Sequence, residues 1–236
     1  MSGQLVTCVE VGASGVETVL LGPDGSFHAQ AGLVQPPAGS ALLIAVPGLV
    51  ADGRVLAASN LDWWDVDPAE ALGLNARADV VCNDAEAAAL GESVLRPGSP
   101  DLVFVGLGTG VGGAVVRAGE VSANLFAHQT GFGSALCSCT NRGCLETVAG
   151  GWALPHPITD LAPVAAAVAR AIEAEPLAEP SLVVVAGGLT RAYPALVDLL
   201  AESLPDRTVE PTAAKDTKSA AAWGLEALLT RAASVH

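Results

Sequence analysis

Apolar and polar residues alternate in short, glycine-bounded runs over the first part of the chain. Residues 4 to 11 (Gln-Leu-Val-Thr-Cys-Val-Glu-Val) and 16 to 21 (Val-Glu-Thr-Val-Leu-Leu) flank Gly12-Ala-Ser-Gly15, and a third run at 26 to 34 follows the turn Pro23-Asp-Gly25. Period-two alternation with β-branched residues predicts strands, and the tight turns join them as an antiparallel meander. The plan recurs at 102 to 107, a glycine turn at 108 to 113, and 114 to 121. This repetition predicts two related lobes, 1–95 and 96–236, divided near Leu95-Arg-Pro-Gly-Ser-Pro100. Ala41 to Val46 is another apolar run, ending at Pro47-Gly48, and Ser181 to Ala186 is a short buried strand running into Gly187-Gly188. Helical patterns cover 85 to 93, with Asn83 or Asp84 at the cap, and 160 to 174, 191 to 203 and 216 to 233.

Composition narrows the function classes. The chain has 236 residues, enough for a sizeable core, and a formal charge of -14 with only two lysines, Lys215 and Lys218. Nucleic-acid phosphates require clustered cations, so nucleic acid is not expected as a partner. No apolar run reaches the length of a membrane span, and no basic stretch precedes an apolar one at the N-terminus. The expectation is a cytoplasmic protein with no membrane partner. Five cysteines in such a chain fit metal and free thiols better than a disulfide framework. Cys8 and Cys82 each lie in an apolar strand-like run and read as small core residues.

Three constellations carry chemistry. Cys137, Cys139 and Cys144 follow His128 closely, with glycines at 131, 133 and 143 to fold the loop back. Three thiolates and one imidazole satisfy zinc's tetrahedral preference and leave no open position, so the metal is structural. Gly108-x-Gly110-x-x-Gly113 formally matches a dinucleotide fingerprint, but β-formers follow it rather than a helix, and no lysine closes it as in a P-loop. What remains is a glycine hairpin, either a plain tight turn or one whose amides approach a phosphate, with Thr109 adding a hydroxyl. Asn83-Asp84 reads as a helix cap, and the helix dipole there also favours an ionised carboxylate that can accept a hydroxyl proton.

Taken together, these segments resemble the ROK family of bacterial sugar kinases and sugar-responsive repressors. The resemblance runs through Val46-Pro-Gly48, Ser59-Asn-Leu-Asp-Trp-Trp64, the segment 81–90, the 103–119 hairpin, His128, Cys137 to Glu146 and Val183 to Gly188. It implies an α/β, two-lobed actin-like ATPase (ribonuclease H-like) fold with mixed sheets. It also implies ATP-dependent phosphorylation of a hexose hydroxyl, glucokinase-like, with Asp84 as general base. Asn83, Glu146, His128 and Gly48 would bind the sugar, and His128 would also bind structural Zn²⁺. Glu10, Gly12 and Ser14 resemble a first phosphate loop, and Gly108, Thr109, Gly110, Gly112 and Gly113 a second. Gly187 and Gly188 would form the adenosine turn, and Mg²⁺ would accompany ATP. Relatives imply a homodimer, and polyphosphate is an alternative donor.

The chain departs from the family pattern in several places. Leu125 stands where a sugar-binding Glu is usual, Glu10 where Asp is, and Ala13 and Thr140 where Gly is; the His-to-Cys spacing is one residue short. Helices are reduced relative to the family, after Ser40 and between Glu146 and Ser181. These departures motivate the alternative, a catalytically degenerate sugar-binding or regulatory protein. No helix-turn-helix precedes the meander, so the kinase branch is expected over the repressor branch.

Overall fold

The computed structural model describes residues 4–12, 14–122, 126–174, 182–214 and 219–234. Strands β1 (Val6–Gly12), β2 (Gly15–Leu21) and β3 (Phe27–Ala31) form the expected meander. Residues 32–40 lead without a helix into β4 (Ala41–Val46). Short strands β5 (Leu49–Ala51), β6 (Arg54–Ala58) and β7 (Trp63–Val66) follow, then helix α1 (Pro68–Ala71), β8 (Val80–Asn83) and α2 (Asp84–Val94). Beyond Gly98 come β9 (Leu102–Leu107), β10 (Val111–Arg117), β11 (Glu120–Ser122), α3 (Glu146–Ala149) and α4 (Ala162–Ala174). The chain continues through β12 (Leu182–Ala186), α5 (Gly188–Ala192), α6 (Ala195–Ser203), β13 (Thr208–Pro211) and α7 (Ala220–Ser234).

Two compact units result, Met1–Gly98 with Ala213–His236, and Ser99–Thr212. The segment from Ala213 onward, which the sequence pattern groups with the second lobe, belongs to the first unit. The amide of Ala213 donates to the buried Glu92 carboxylate on α2 at 2.9 Å, and Arg96 pairs with the same carboxylate. Each unit holds a five-stranded sheet of the same plan. The order is β3-β2-β1-β4-β8 in one and β11-β10-β9-β12-β13 in the other, antiparallel for the first three strands and parallel thereafter.

Alternation assigns the faces of the first sheet. Val6, Cys8, Leu43 and Ala45 pack with Val19 and Leu21 against Ala87 of α2 and Ala221, Ala222 and Leu225 of α7. Val9, Val11, Leu42, Ile44 and Val46 face Val55, Ala58 and Ala69, so β4 is buried on both sides. The three-stranded sheet β5-β6-β7 that covers this second face is absent from the sequence reading. In the second unit Val103, Val105, Leu107, Val183 and Val185 pack with Val164, Val168 and Ile172 of α4 and Leu196 and Leu200 of α6. The single strand expected over 114–121 is two, because Ala118 and Gly119 both take positive φ and turn the chain. The helix expected over 191–203 breaks at Tyr193-Pro194, where proline cannot donate to the preceding turn. The last helix begins at Ala220 rather than 216; residues 215–218, both lysines among them, and Ser181 lie outside the described residues.

Helices α2 and α7 cross at backbone distance. A methyl at Gly224 would fall on the Ala87 carbonyl oxygen, and one at Gly91 on that of Ala220. Overpacking of a close contact costs about 1–3 kcal/mol. Gly224→Ala is therefore expected to lower unfolding stability in urea by at least about 1 kcal/mol. Gly188→Ala, where a methyl meets no atom within 4 Å, is expected to stay within about 0.5 kcal/mol. Equal midpoints for the two variants would contradict this packing.

Candidate functional site

In the first unit the C-terminal ends of three parallel strands set the geometry. Register pairs Glu10 with Ala45, Ala45 with Cys82 and Val46 with Asn83, so Glu10, the Pro47-Gly48 turn and Asn83-Asp84 lie side by side. Asn83 is the N-cap of α2. Its Oδ1 accepts the amides of Ala85 and Glu86 at 2.9 and 3.1 Å, and its Nδ2 donates to the Gly48 carbonyl at 2.8 Å. Gly48 takes φ 100°, and any Cβ there would strike the Ala57 carbonyl, so only glycine fits. One side chain thus starts the helix and pins the neighbouring turn, leaving one amide N–H of Asn83 for a ligand.

Asp84 follows as the first helical residue. Burial pushes its carboxyl up to about 6, opposed by hydrogen bonds from the backbone, among them the Ala85 amide at 2.9 Å. Burial also raises Glu86 and Cys82, the latter half-buried against the first unit's core. Glu10 is raised by burial, against the Ser219 hydroxyl that hydrogen-bonds to it, and nearby Glu17 and Asp84 add to the rise. Its Oε2 is buried without a hydrogen-bond partner. A buried carboxylate oxygen without a donor has the chemistry to meet a cation or its water, so Glu10 fits Mg²⁺ despite the extra methylene. Ser219, which also caps α7 through the Ala222 amide at 3.1 Å, was missed in the sequence; a serine before an alanine-rich run is its signal. Gly12 ends β1 and Ser14 is exposed in the turn; Ala13 lies outside the described residues.

In the second unit the glycine hairpin is narrower than its sequence pattern. Gly108, Thr109 and Gly110 make the turn, whereas Gly112 and Gly113 lie within β10. Gly113 is required because Phe126 packs on its Cα. Sequence spacing had grouped both with the phosphate loop; the structure gives Gly113 a packing role. The Gly108 and Thr109 carbonyls accept the amides of Gly151 and Trp152 at 2.9 and 3.0 Å. The N–H groups of Thr109 and Gly110 have no partner among the described residues, so two donors stand available at the tip. Gly187, at φ 108°, abuts the Leu107 backbone, and the Gly188 amide borders Gly108, which brings the second glycine turn beside the hairpin.

Glu146 joins this hairpin to the cysteine loop. Its buried carboxylate accepts the Val111 amide at 3.2 Å through Oε2, while Oε1 lies 3.9 Å from Cys137 Sγ. A Cβ on Gly110 would press on Oε2, so glycine there makes room for the carboxylate. The donor atoms of His128, Cys137, Cys139 and Cys144 all lie within 4.8 Å of one another. Cys139 and Cys144 Sγ are 3.5 Å apart, and His128 Nδ1 is 3.6 Å from Cys137 Sγ. A tetrahedral shell with Zn–S of about 2.3 Å spaces its ligands by about 3.8 Å, so the cluster fits zinc. Thr140 takes φ 71°, the conformation that glycine ordinarily supplies. Loop and core are tied together as Gln129 donates to the Ala171 carbonyl and Arg170 to that of Gly131, with the guanidinium stacked on Phe132. Leu125 lies outside the described residues.

If the cluster holds zinc, elemental analysis is expected to give about one zinc per chain, and Cys144→Ser to lower the melting temperature by several degrees. A zinc-free chain with a melting curve unchanged by chelation would contradict it.

Known proteins match this architecture. The ROK family model matches residues 29–160, more than half of the chain. A glucokinase of Halalkalibacterium halodurans is 32% identical over 130 residues, covering 50% of this chain and 39% of that protein. A kanosamine kinase of Amycolatopsis mediterranei is 29% identical over 222 residues, covering 78% and 73%. Xylose repressors also match, over 33% of the length of the one from Caldicellulosiruptor bescii. Among solved structures, a ROK family glucokinase from Streptomyces griseus in complex with glucose and AMPPNP superposes with a TM-score of 0.72 at 21% identity, covering 95% of this chain and 98% of that one. With both sheets of the actin-like ATPase fold, the cysteine cluster and the family model in agreement, this chain belongs to the ROK family.

Proposed function

We propose that this protein transfers the terminal phosphoryl group of ATP to a hydroxyl of a hexose. The observation that carries the reading is Asp84, a carboxylate held at the start of α2 with its basicity raised by burial to about 6. At that value it is a stronger base than a surface aspartate yet stays ionised near neutral pH, which suits acceptance of a hydroxyl proton as the sugar oxygen attacks phosphorus. Asn83 donates its remaining N–H to a neighbouring hydroxyl. His128 turns Nδ1 toward the cysteines, which leaves Nε2 for another hydroxyl, and Glu146 accepts one more.

The Thr109 and Gly110 amides receive phosphate oxygens, and Gly187-Gly188 lines the adenosine. Glu10 would hold Mg²⁺, which when bound neutralises phosphate charge. His128 and the three cysteines would hold zinc, which when bound would shape the loop that carries His128 and Glu146. Positioning and charge neutralisation supply most of the rate in such transfers. The kinases among the relatives support this reading, with a hexose or an amino sugar as acceptor. The repressors among them support the second one, a sugar binder without turnover.

Coupled ADP release with Mg²⁺-ATP and a panel of hexoses and amino sugars separates the two. Turnover with at least one sugar, reduced about 10²- to 10⁴-fold in Asp84→Asn, is expected for the kinase. Sugar binding without turnover would overturn it. The rate is expected to fall as pH drops through about 6, where Asp84 takes up its proton. Stability moves in the opposite sense. A carboxyl whose folded pKa exceeds its unfolded value destabilises the fold where it is ionised, so Asp84→Asn is expected to stabilise the protein by about 1–3 kcal/mol at pH 8 and by little below pH 4. A variant that loses both activity and stability would identify Asp84 as a structural residue of the first turn of α2.

A further inference from the structure

We propose that Trp152 is the stacking platform for the nucleobase of the phosphoryl donor, so that the donor is a nucleoside triphosphate and not an inorganic polyphosphate; this rests on the phosphoryl-transfer reading above. Among the described residues of the second unit the other aromatic side chains are covered. Phe104, Phe126 and Phe132 are buried and Tyr193 is half-buried, whereas Trp152 is 51% exposed. Exposure alone is ordinary for a surface side chain. What distinguishes Trp152 is where it is attached.

Backbone hydrogen bonds fix it to the glycine hairpin. The Trp152 amide donates to the Thr109 carbonyl at 3.0 Å, and the Gly151 amide to the Gly108 carbonyl at 2.9 Å. A Cβ on Gly151 would stand 2.7 Å from that Gly108 oxygen, so glycine is what lets the two backbones meet. At Gly150 a Cβ would stand 3.2 Å from the indole Nε1 and 2.7 Å from the Glu146 carbonyl oxygen, so the edge of the ring lies along a residue without a side chain. Farther along, His156 Nε2 lies 3.2 Å from the Gly151 carbonyl oxygen, and the Ile158 amide donates to the Tyr193 hydroxyl at 3.2 Å. Tyr193 closes α5, the helix that opens at Gly188, and Gly188 borders Gly108. Residues 151–158 are thus held at one end by the hairpin and at the other by the helix that follows the Gly187-Gly188 turn.

This placement suits a nucleotide. The hairpin tip offers the Thr109 and Gly110 amides to phosphate oxygens, and an aromatic face stands beside the same tip, where a base joined to those phosphates through its ribose can reach it. A base of any identity presents a π face to such a ring. Inorganic polyphosphate has no counterpart and offers only charge. At a formal charge of -14 the chain repels a long polyanion, and the guanidinium groups of Arg142 and Arg170 are engaged by the Ser134 and Gly131 carbonyls. Stacking on Trp152 adds the attraction that charge does not supply.

Calorimetric titration of the full chain with Mg²⁺-ATP, Mg²⁺-tripolyphosphate and glucose, in the native protein, Trp152→Ala and Trp152→Phe, tests this. Trp152→Ala is expected to weaken ATP binding about 5- to 100-fold and to leave tripolyphosphate within about twofold, while Trp152→Phe recovers most of the ATP affinity. ATP is also expected to quench the native tryptophan emission, a change lost in Trp152→Phe, which keeps Trp63, Trp64 and Trp223. ATP affinity independent of residue 152, equal losses for ATP and tripolyphosphate, or a loss confined to glucose each overturn the proposal and leave the phosphoryl-transfer reading standing. A native emission that ignores bound ATP does the same, even if neither variant folds. A native chain that binds neither ATP nor tripolyphosphate overturns both.

Discussion

The second unit is organised by one buried carboxylate. Glu146 accepts the Val111 amide at the root of the glycine hairpin, occupies the space that a side chain on Gly110 would need, and sets its other oxygen beside Cys137. Hairpin, cysteine loop and helix α3 therefore share an anchor. Two residues before it, Cys144 belongs to the cluster, so anything that fixes the cluster fixes the carboxylate. Burial of a carboxylate is costly unless donors or a cation surround it, and the loop supplies the means to gather them. In the proposed reaction the same constraint presents Glu146 and His128 to a sugar while keeping the hairpin tip free for phosphate.

An economical device also organises the first unit. Asn83 completes the first turn of α2, holds the Gly48 carbonyl and orients Asp84 next to it. Its fellow at the strand ends, Glu10, is short of a partner on one oxygen, and Asp84 is pushed up by the same desolvation. Such strain among ionisable groups marks sites of chemistry more often than sites of structure.

Much of this was legible in the sequence because its signals are local. Cysteine spacing with nearby glycines depends only on loop reach, and the Asn83-Asp84 cap and the duplicated hairpin depend on turn chemistry. What was not legible depends on contacts distant in sequence. Gly113 fits a phosphate-loop pattern, but Phe126 explains it. The sheet β5-β6-β7 was missed because its strands are short and joined by Asp52 and Asp62 at positive φ, where the pattern suggests loop. Ala213 gives no sign of returning to the first unit, because Glu92, far earlier in the chain, holds it there. Likewise, nothing in the spacing shows that Asn83 spends most of its hydrogen-bonding capacity on the protein itself.

Membership in the ROK family leaves two outcomes that share a fold, phosphoryl transfer and sugar binding without it. Direct identification of product is the measurement that separates them, by phosphorus NMR of the purified zinc-loaded protein with Mg²⁺-ATP and each sugar. The account predicts a sugar phosphate formed in step with ADP by the native protein and not by Asp84→Asn. ADP without a sugar phosphate, or a bound sugar that is never phosphorylated, would contradict it.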